Sequence, residues 1–249
     1  MANPRHLPNA PITEAVVDFR AQTNLDASLE CLGSLPSDLA SAYPQREELN
    51  HFELQVEQRE GAKLKTTETG GFVGYRFWSQ DRRYAAQFRK NGFTFSRLAP
   101  YSDWDTVYGE AIRLFSAYVS RCSVSEITRI AVRYINLLKL PEAEVSDFSP
   151  FLVAPPPFPQ EVNAYLSEFL TKVIIADPDS QIRANVIQTI HRGVQIPGVV
   201  PVILDIDVYE QGNLPVDVTL LDERFRALRS MKNRLFFASI TEKAAKLFE

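Results

Sequence analysis

Histidine and cysteine are scarce in this chain, three of the first and two of the second in 249 residues. Zinc sites draw mainly on those side chains at short spacings, and His6, His51 and His191 lie far from one another and from Cys31 and Cys122. The composition therefore argues against a structural zinc site, and two scattered cysteines read as reduced, core-type thiols rather than a disulfide framework. Long apolar runs are missing as well. A membrane-spanning helix needs about 20 consecutive apolar residues, and prolines interrupt "MANPRHLPNAPITEAVVDF" before any secretory apolar core can form. A cytoplasmic protein with no membrane partner is expected. Positive charge is not in excess either: 27 Lys and Arg face 31 Asp and Glu, a net charge of −4, so no global field draws the chain to nucleic acid. Catalytic signatures are absent. "ETGGFVGYR" has neither the spacing nor the Lys-Ser/Thr ending of a phosphate-binding loop, and no nucleophile elbow, zinc-protease helix or EF-hand loop occurs. No cofactor is expected, and the expected role leans away from catalysis.

What the chain does contain is alternation. "APITEAVVDFRA" reads as a strand with Ala15, Val17 and Phe19 on one face and Glu14, Asp18 and Arg20 on the other. "DASLECLGSLPSDLASAY" follows as an expected helix with Asp26 as N-cap, kinked or restarted at Pro36. A β-rich block comes next, in which Asn91-Gly92 predicts a two-residue hairpin turn with Lys90 opposite Phe93 and Phe88 opposite Phe95. "YSDWDTVYGEAIRLFSAYVSRC" predicts a helix with Ser102 and Asp105 as its capping pair and an aromatic stripe turned to the core.

The second half reads in the same order. Strand 127–140 leads through a Pro-rich connection to an expected helix "PQEVNAYLSEFL", then strands "KVIIA", "QIRANVIQTIH" and "VVPVILDIDVYE". The helix "LLDERFRALRSMKNRLFFA" closes it, with Ser239 and Glu242 expected to cap a last short turn. The expected fold is thus α+β with two pseudo-repeated halves, 1–125 and 126–249. Each would be an antiparallel sheet with helices packed on one face, in β-α-β3/4-α order.

Three groups of side chains are candidates for a site. On strand 129–140, Tyr134 and Asn136 point with the apolar set while Arg133 points with Arg129, Ala131 and Ile135. A half-covered Arg133 calls for a carboxylate, with Glu14 or Asp18 of the first strand as the natural partner. That arrangement is either a polar clasp or, with Glu14, Arg133 and Asn136 lining a cleft between lobes, a site for an anionic, nucleotide-like ligand. Asp205 and Asp207 share a strand face, and with His191 they could hold Mg²⁺; they could equally line the solvent face of a half-buried strand. Finally, Arg76, Arg82, Arg83, Arg89 and Lys90 interleave with Phe77, Trp78, Tyr84 and Phe88. Such a surface could bind single-stranded nucleic acid, or the aromatics could form a core with the cations alternating outward.

The blocks "LPNAPITEAVVDF", "YSDWDTVYGEA", "RIAVRYINLLKLP" and "LRSMKNRLFFASITEKAAKLF" run from end to end of the chain. Together they resemble a sporadically distributed family of bacterial proteins of about this length, whose molecular function is unassigned. Leu7, Pro11, Glu14, Tyr101, Trp104, Arg133, Tyr134, Asn136, Asn233 and Phe236 fall at the positions that carry the resemblance. It implies carriage on mobile DNA, as with accessory genes for phage defence or toxin–antitoxin pairs. The leading expectation is accordingly a non-catalytic interaction or regulatory subunit with a protein partner, homodimerisation and nucleic-acid binding remaining open. The alternative is an enzyme or ligand binder using the cleft.

Overall fold

The computed structural model describes residues 1–23, 30–57, 65–145, 147–157, 166–191, 193 and 196–249. The strands are β1 (Ile12–Thr23), β2 (Gln45–Glu57), β3 (Lys65–Trp78), β4 (Tyr84–Arg89), β5 (Gly92–Leu98), β6 (Val124–Pro141), β7 (Leu170–Ala176), β8 (Ile182–Ile190) and β9 (Val199–Leu214). The helices are α1 (Glu30–Gly33), α2 (Ser37–Ala40), α3 (Trp104–Cys122), α4 (Val218–Ser239) and α5 (Glu242–Ala245). The nine strands among the described residues form one sheet in the order β2-β3-β4-β5-β1-β6-β9-β8-β7, each antiparallel to its neighbours.

The expected layout of two repeated α+β halves is therefore corrected. β1 and β6 pair along most of their length, so one sheet carries both halves. One core runs across it as well. Phe19 of β1 stacks on Phe115 of α3 at 3.8 Å and meets Phe225 of α4 at 5.1 Å, so a single ring touches both long helices. α3 packs on β5 and β1, and α4 on β6 and β9, covering the same face. That face is built by the alternation the strands predict: Ala15, Val17 and Phe19 of β1, the even residues Ile130 to Leu140 of β6, and Val202 to Val208 of β9 are buried.

Local details shift as well. The hairpin between β4 and β5 turns on Lys90 and Asn91, one residue earlier than expected, so Phe88 faces Phe93 and Ala86 faces Phe95. Gly92 opens β5 instead, with φ +144°, and a Cβ there would lie 2.0 Å from the Phe19 carbonyl oxygen. Glycine is needed at this point for close approach of β1, not for the turn. The N-cap of α3 is Asp103, which accepts from the Thr106 N–H at 2.8 Å, rather than Ser102. Thr241 rather than Ser239 caps α5. The restart expected at Pro36 is present, with α1 before it and α2 beginning directly after it; Asp26 lies outside the described residues. The helix expected over 159–170 also falls largely outside them, and 166–169 carry no regular structure. Among the described residues no helix is long and apolar enough to cross a membrane.

Candidate functional site

The sheet has two polar systems, one on each face. On the face opposite the helices, Asp18 at the middle of β1 is 8% exposed and central to a charge network. Its carboxylate accepts from Thr94 Oγ1 at 2.6 Å, Arg89 Nη2 at 2.7 Å and Arg129 Nη1 at 3.1 Å. Arg129 in turn donates to both oxygens of Asp207, at 3.0 and 2.8 Å, and Asn185 Nδ2 donates to the same carboxylate at 3.2 Å. Arg133 grips Asp205 with two bonds of 2.9 and 2.6 Å, and this contact raises the guanidinium's pKa above its ordinary value.

These contacts correct several expectations. Arg133 meets Asp205 on β9 rather than Asp18; Glu14 of β1 and Asp205 of β9 flank Ile135 on its two sides, and the guanidinium bonds Asp205, with the Glu14 charge acting on it only through space. Glu14 sits half-buried opposite Leu98 and Ile135. The Mg²⁺ reading of Asp205, Asp207 and His191 fails on the same geometry, since each aspartate is already held by a guanidinium. No group of three metal-ligating side chains occurs among the described residues. The basic cluster is likewise divided. Phe77 and Phe88 belong to the core, Arg89 is committed to Asp18, Arg82 pairs with Glu47 at 2.7 Å and lies 4.7 Å over Trp78, and Arg83 lies 3.8 Å from Asp81. Guanidiniums so paired leave little free charge for a nucleic-acid backbone.

The helix-side face holds a different arrangement. A cleft of about 670 Å³ opens where the N-terminal segment 5–12 and the loop 99–104 meet the C-terminal half of α4. Each wall has a local cause. The N-terminal segment is pinned by Asn9 N–H to the Phe248 carbonyl and by the Leu137 N–H to the Pro11 carbonyl. The loop follows β5, and α3 begins at its end, placing Tyr101 and Trp104 at the rim. On α4, Arg229, Lys232, Asn233 and Phe236 lie at i, i+3, i+4 and i+7, and so share one face. Asn136 reaches the cleft from β6. Its amide nitrogen donates to the Leu204 carbonyl at 2.9 Å and to that of Tyr134 at 3.3 Å. The cleft is not the space between two lobes that the sequence suggested; the sheet lies beneath it, with Tyr134 and Asn136 on its side and Arg133 and Glu14 on the other.

Lys232 is the group that stands out. It is 9% exposed, its Nζ lies 3.7 Å from the centre of the Tyr134 ring, and it makes no ion pair among the described residues. Burial, with the neighbouring Arg229 as a second cause, brings its pKa down to about 7. Tyr134 hydrogen-bonds Tyr101 through their hydroxyls at 3.0 Å, and burial raises both phenol pKa values. Arg229 lies 5.4 Å over Trp104, whose ring stacks on Tyr108 at 4.9 Å. Sequence reasoning passed over Lys232 and Arg229. The signal was available: Leu221, Phe225, Leu228 and Phe236 mark the inward stripe of α4, and Lys232 occupies a position on it.

No protein-family model matches the chain, and no curated protein matches it. Leu7, Pro11, Tyr101, Trp104, Asn136, Asn233 and Phe236 all line this cleft.

Proposed function

We propose that the chain binds a small organic anion, a carboxylate or a phosphate ester, in the cleft beneath α4. The observation that carries this is Lys232, a buried lysine lining the cleft with no ion pair among the described residues. Burying an uncompensated charge costs several kcal/mol, and a ligand's negative group supplies the missing counter-charge. Arg229, Asn136 and Asn233 add donors around it, while Tyr101, Trp104 and Phe236 offer surface for an apolar body. A volume near 670 Å³ lies within the range of sites for such ligands.

Calorimetric titration with a nucleoside monophosphate and, separately, an aryl carboxylate tests the reading and tells the two chemistries apart. One of them binds, and Lys232→Met weakens it by about tenfold or more, roughly 1.4 kcal/mol. Because the anion favours protonated Lys232, binding at pH 8 also takes up protons, seen as an enthalpy that varies with the buffer. Absence of binding at millimolar ligand, or binding indifferent to Lys232→Met, would sink it.

The edge of the sheet favours a second reading, the protein-interaction role. Leu170, Val173 and Ile174 of β7 are exposed, and β7 has no strand on its outer side among the described residues. Such an edge accepts a partner's strand through main-chain hydrogen bonds. In this reading the tagged chain captures one stoichiometric partner from its host extract, and Ile174→Lys abolishes the capture. Sedimentation of the purified chain shows whether that partner is a second copy. Capture that survives Ile174→Lys excludes the edge.

A further inference from the structure

We propose that Lys232 is a reactive amine that forms an imine with an anionic carbonyl compound, a small α-oxo acid, held in the cleft. The inference rests on the anion-binding reading above and narrows its ligand class. Lys232 projects from α4 into the cleft rather than into solvent, and it is nine-tenths buried. No carboxylate among the described residues holds it as an ammonium, and its own nearest cation, Arg229, lies one helical turn away. A lysine desolvated beside another cation spends much of its time as the free amine, the form that attacks carbonyl carbon. Its pKa of about 7 agrees with that geometry.

The other groups divide the work. Arg229 and Asn233, on the same face of α4, are placed to take the ligand's carboxylate. That leaves the adjacent carbonyl carbon for Lys232. The amine lone pair attacks the carbon, and the C=O π electrons move to oxygen. A proton passes from nitrogen to that oxygen, giving a carbinolamine. Protonation of the hydroxyl and loss of water then leave a protonated imine, with no oxidant or reductant consumed. The remaining titratable or charged groups on the cleft walls are Arg5 and His6 of the N-terminal segment, and Tyr101 and Asp103 of the loop. Arg5 is occupied, since it pairs with Glu242 and Glu249 at 3.0 and 2.6 Å. Tyr101, bonded to Tyr134, is the hydroxyl placed at the cleft wall to relay the proton.

The experiment uses the full chain, pyruvate and sodium cyanoborohydride at pH 7.5, with peptide mass spectrometry as the readout. Hydride from the reagent reduces the imine to a stable carboxyethyl-lysine. Lys232 is expected to be modified about tenfold or more faster than any surface lysine, because far more of it is unprotonated at this pH. Lys232→Arg keeps the charge and cannot form an imine, so the adduct disappears. Lys232→Met, in which the buried charge is gone, guards against misreading a folding defect. Lactate, which has no carbonyl, separates the two ideas. If lactate and pyruvate bind but Lys232 is not trapped, the imine is overturned and the anion site stands. If neither binds, the α-oxo acid is overturned, and the anion site is decided by the nucleotide and aryl carboxylate titrations. Labelling spread evenly over surface lysines also overturns the imine.

Discussion

Lys232→Met raises the unfolding free energy at pH 7 by about 2–3 kcal/mol and removes part of its rise with pH, through the linkage of folding to protonation. In the unfolded chain the amine titrates near the ordinary lysine value of about 10.4, whereas in the fold it titrates at about 7. Between those values the unfolded state binds more protons than the folded one, so the wild-type chain gains stability as pH rises. Above about 10.4 the amine is neutral in both states and costs nothing through this route. As pH falls towards 7 the folded state must either give up the proton or bury the charge, and the penalty grows to its full size. Each unit of difference is worth about 1.4 kcal/mol. The cation–π contact with Tyr134 offsets only about 1–2 kcal/mol of it. Urea unfolding of both forms at pH 7, 8.5 and 10 checks the prediction, since the tyrosines that titrate at the alkaline end are common to both. Curves that stay parallel across that range would mean that Lys232 keeps its proton in the fold. A stabilising loss of a buried side chain also bears on function. A cost retained within a cleft is the pattern of a group kept for what it binds.

Local pattern was legible in the sequence; association was not. The period-2 alternation assigns the side chains of β6 from Arg129 to Leu140 to their faces but breaks at the irregularity between Ile127 and Arg129, where Ile127 joins the core; "KVIIA", "QIRANVIQTIH" and "VVPVILDIDVYE" correspond to β7, β8 and β9. Alternation says which face a residue takes but nothing about which strand lies alongside. The pairing of β1 with β6, which turns two expected sheets into one, rests on contacts more than a hundred residues apart. The same limit hid the partner of Arg133, because alternation does not reveal that β9 lies beside β6 and brings Asp205 within reach of the guanidinium. At Asn91-Gly92 the glycine was read as turn chemistry, yet it serves the close approach of the Phe19 carbonyl. The cleft was beyond reach for another reason. Its walls come from residues 5–12, 99–104 and 229–237, which meet only when the N-terminal segment docks beside α4.

Asp18→Ala lowers the unfolding free energy by about 3–5 kcal/mol, the largest loss expected from any single polar substitution on the sheet. Asp18 neutralises two guanidiniums that are themselves poorly solvated, with side chains of Arg89 14% and of Arg129 18% exposed. Arg129 retains Asp207 after the change. Arg89 does not: its only ion pair among the described residues is with Asp18, and its Nε already lacks a hydrogen-bond partner. Burial, with the Arg20 charge as a second cause, lowers the pKa of Arg89, and Asp18 opposes it. A guanidinium does not escape by losing its proton at neutral pH. The penalty is therefore that of a buried charge left uncompensated, and the Thr94 hydroxyl loses its acceptor as well. Removing the cation together with the anion tests this cause against mere loss of packing. In the double variant Asp18→Ala with Arg89→Met, stability recovers by about 2 kcal/mol relative to Asp18→Ala alone, because no orphaned charge remains. Strictly additive losses in the four-member cycle, measured by chemical denaturation, would show that Asp18 and Arg89 act independently and that the network is only a surface arrangement.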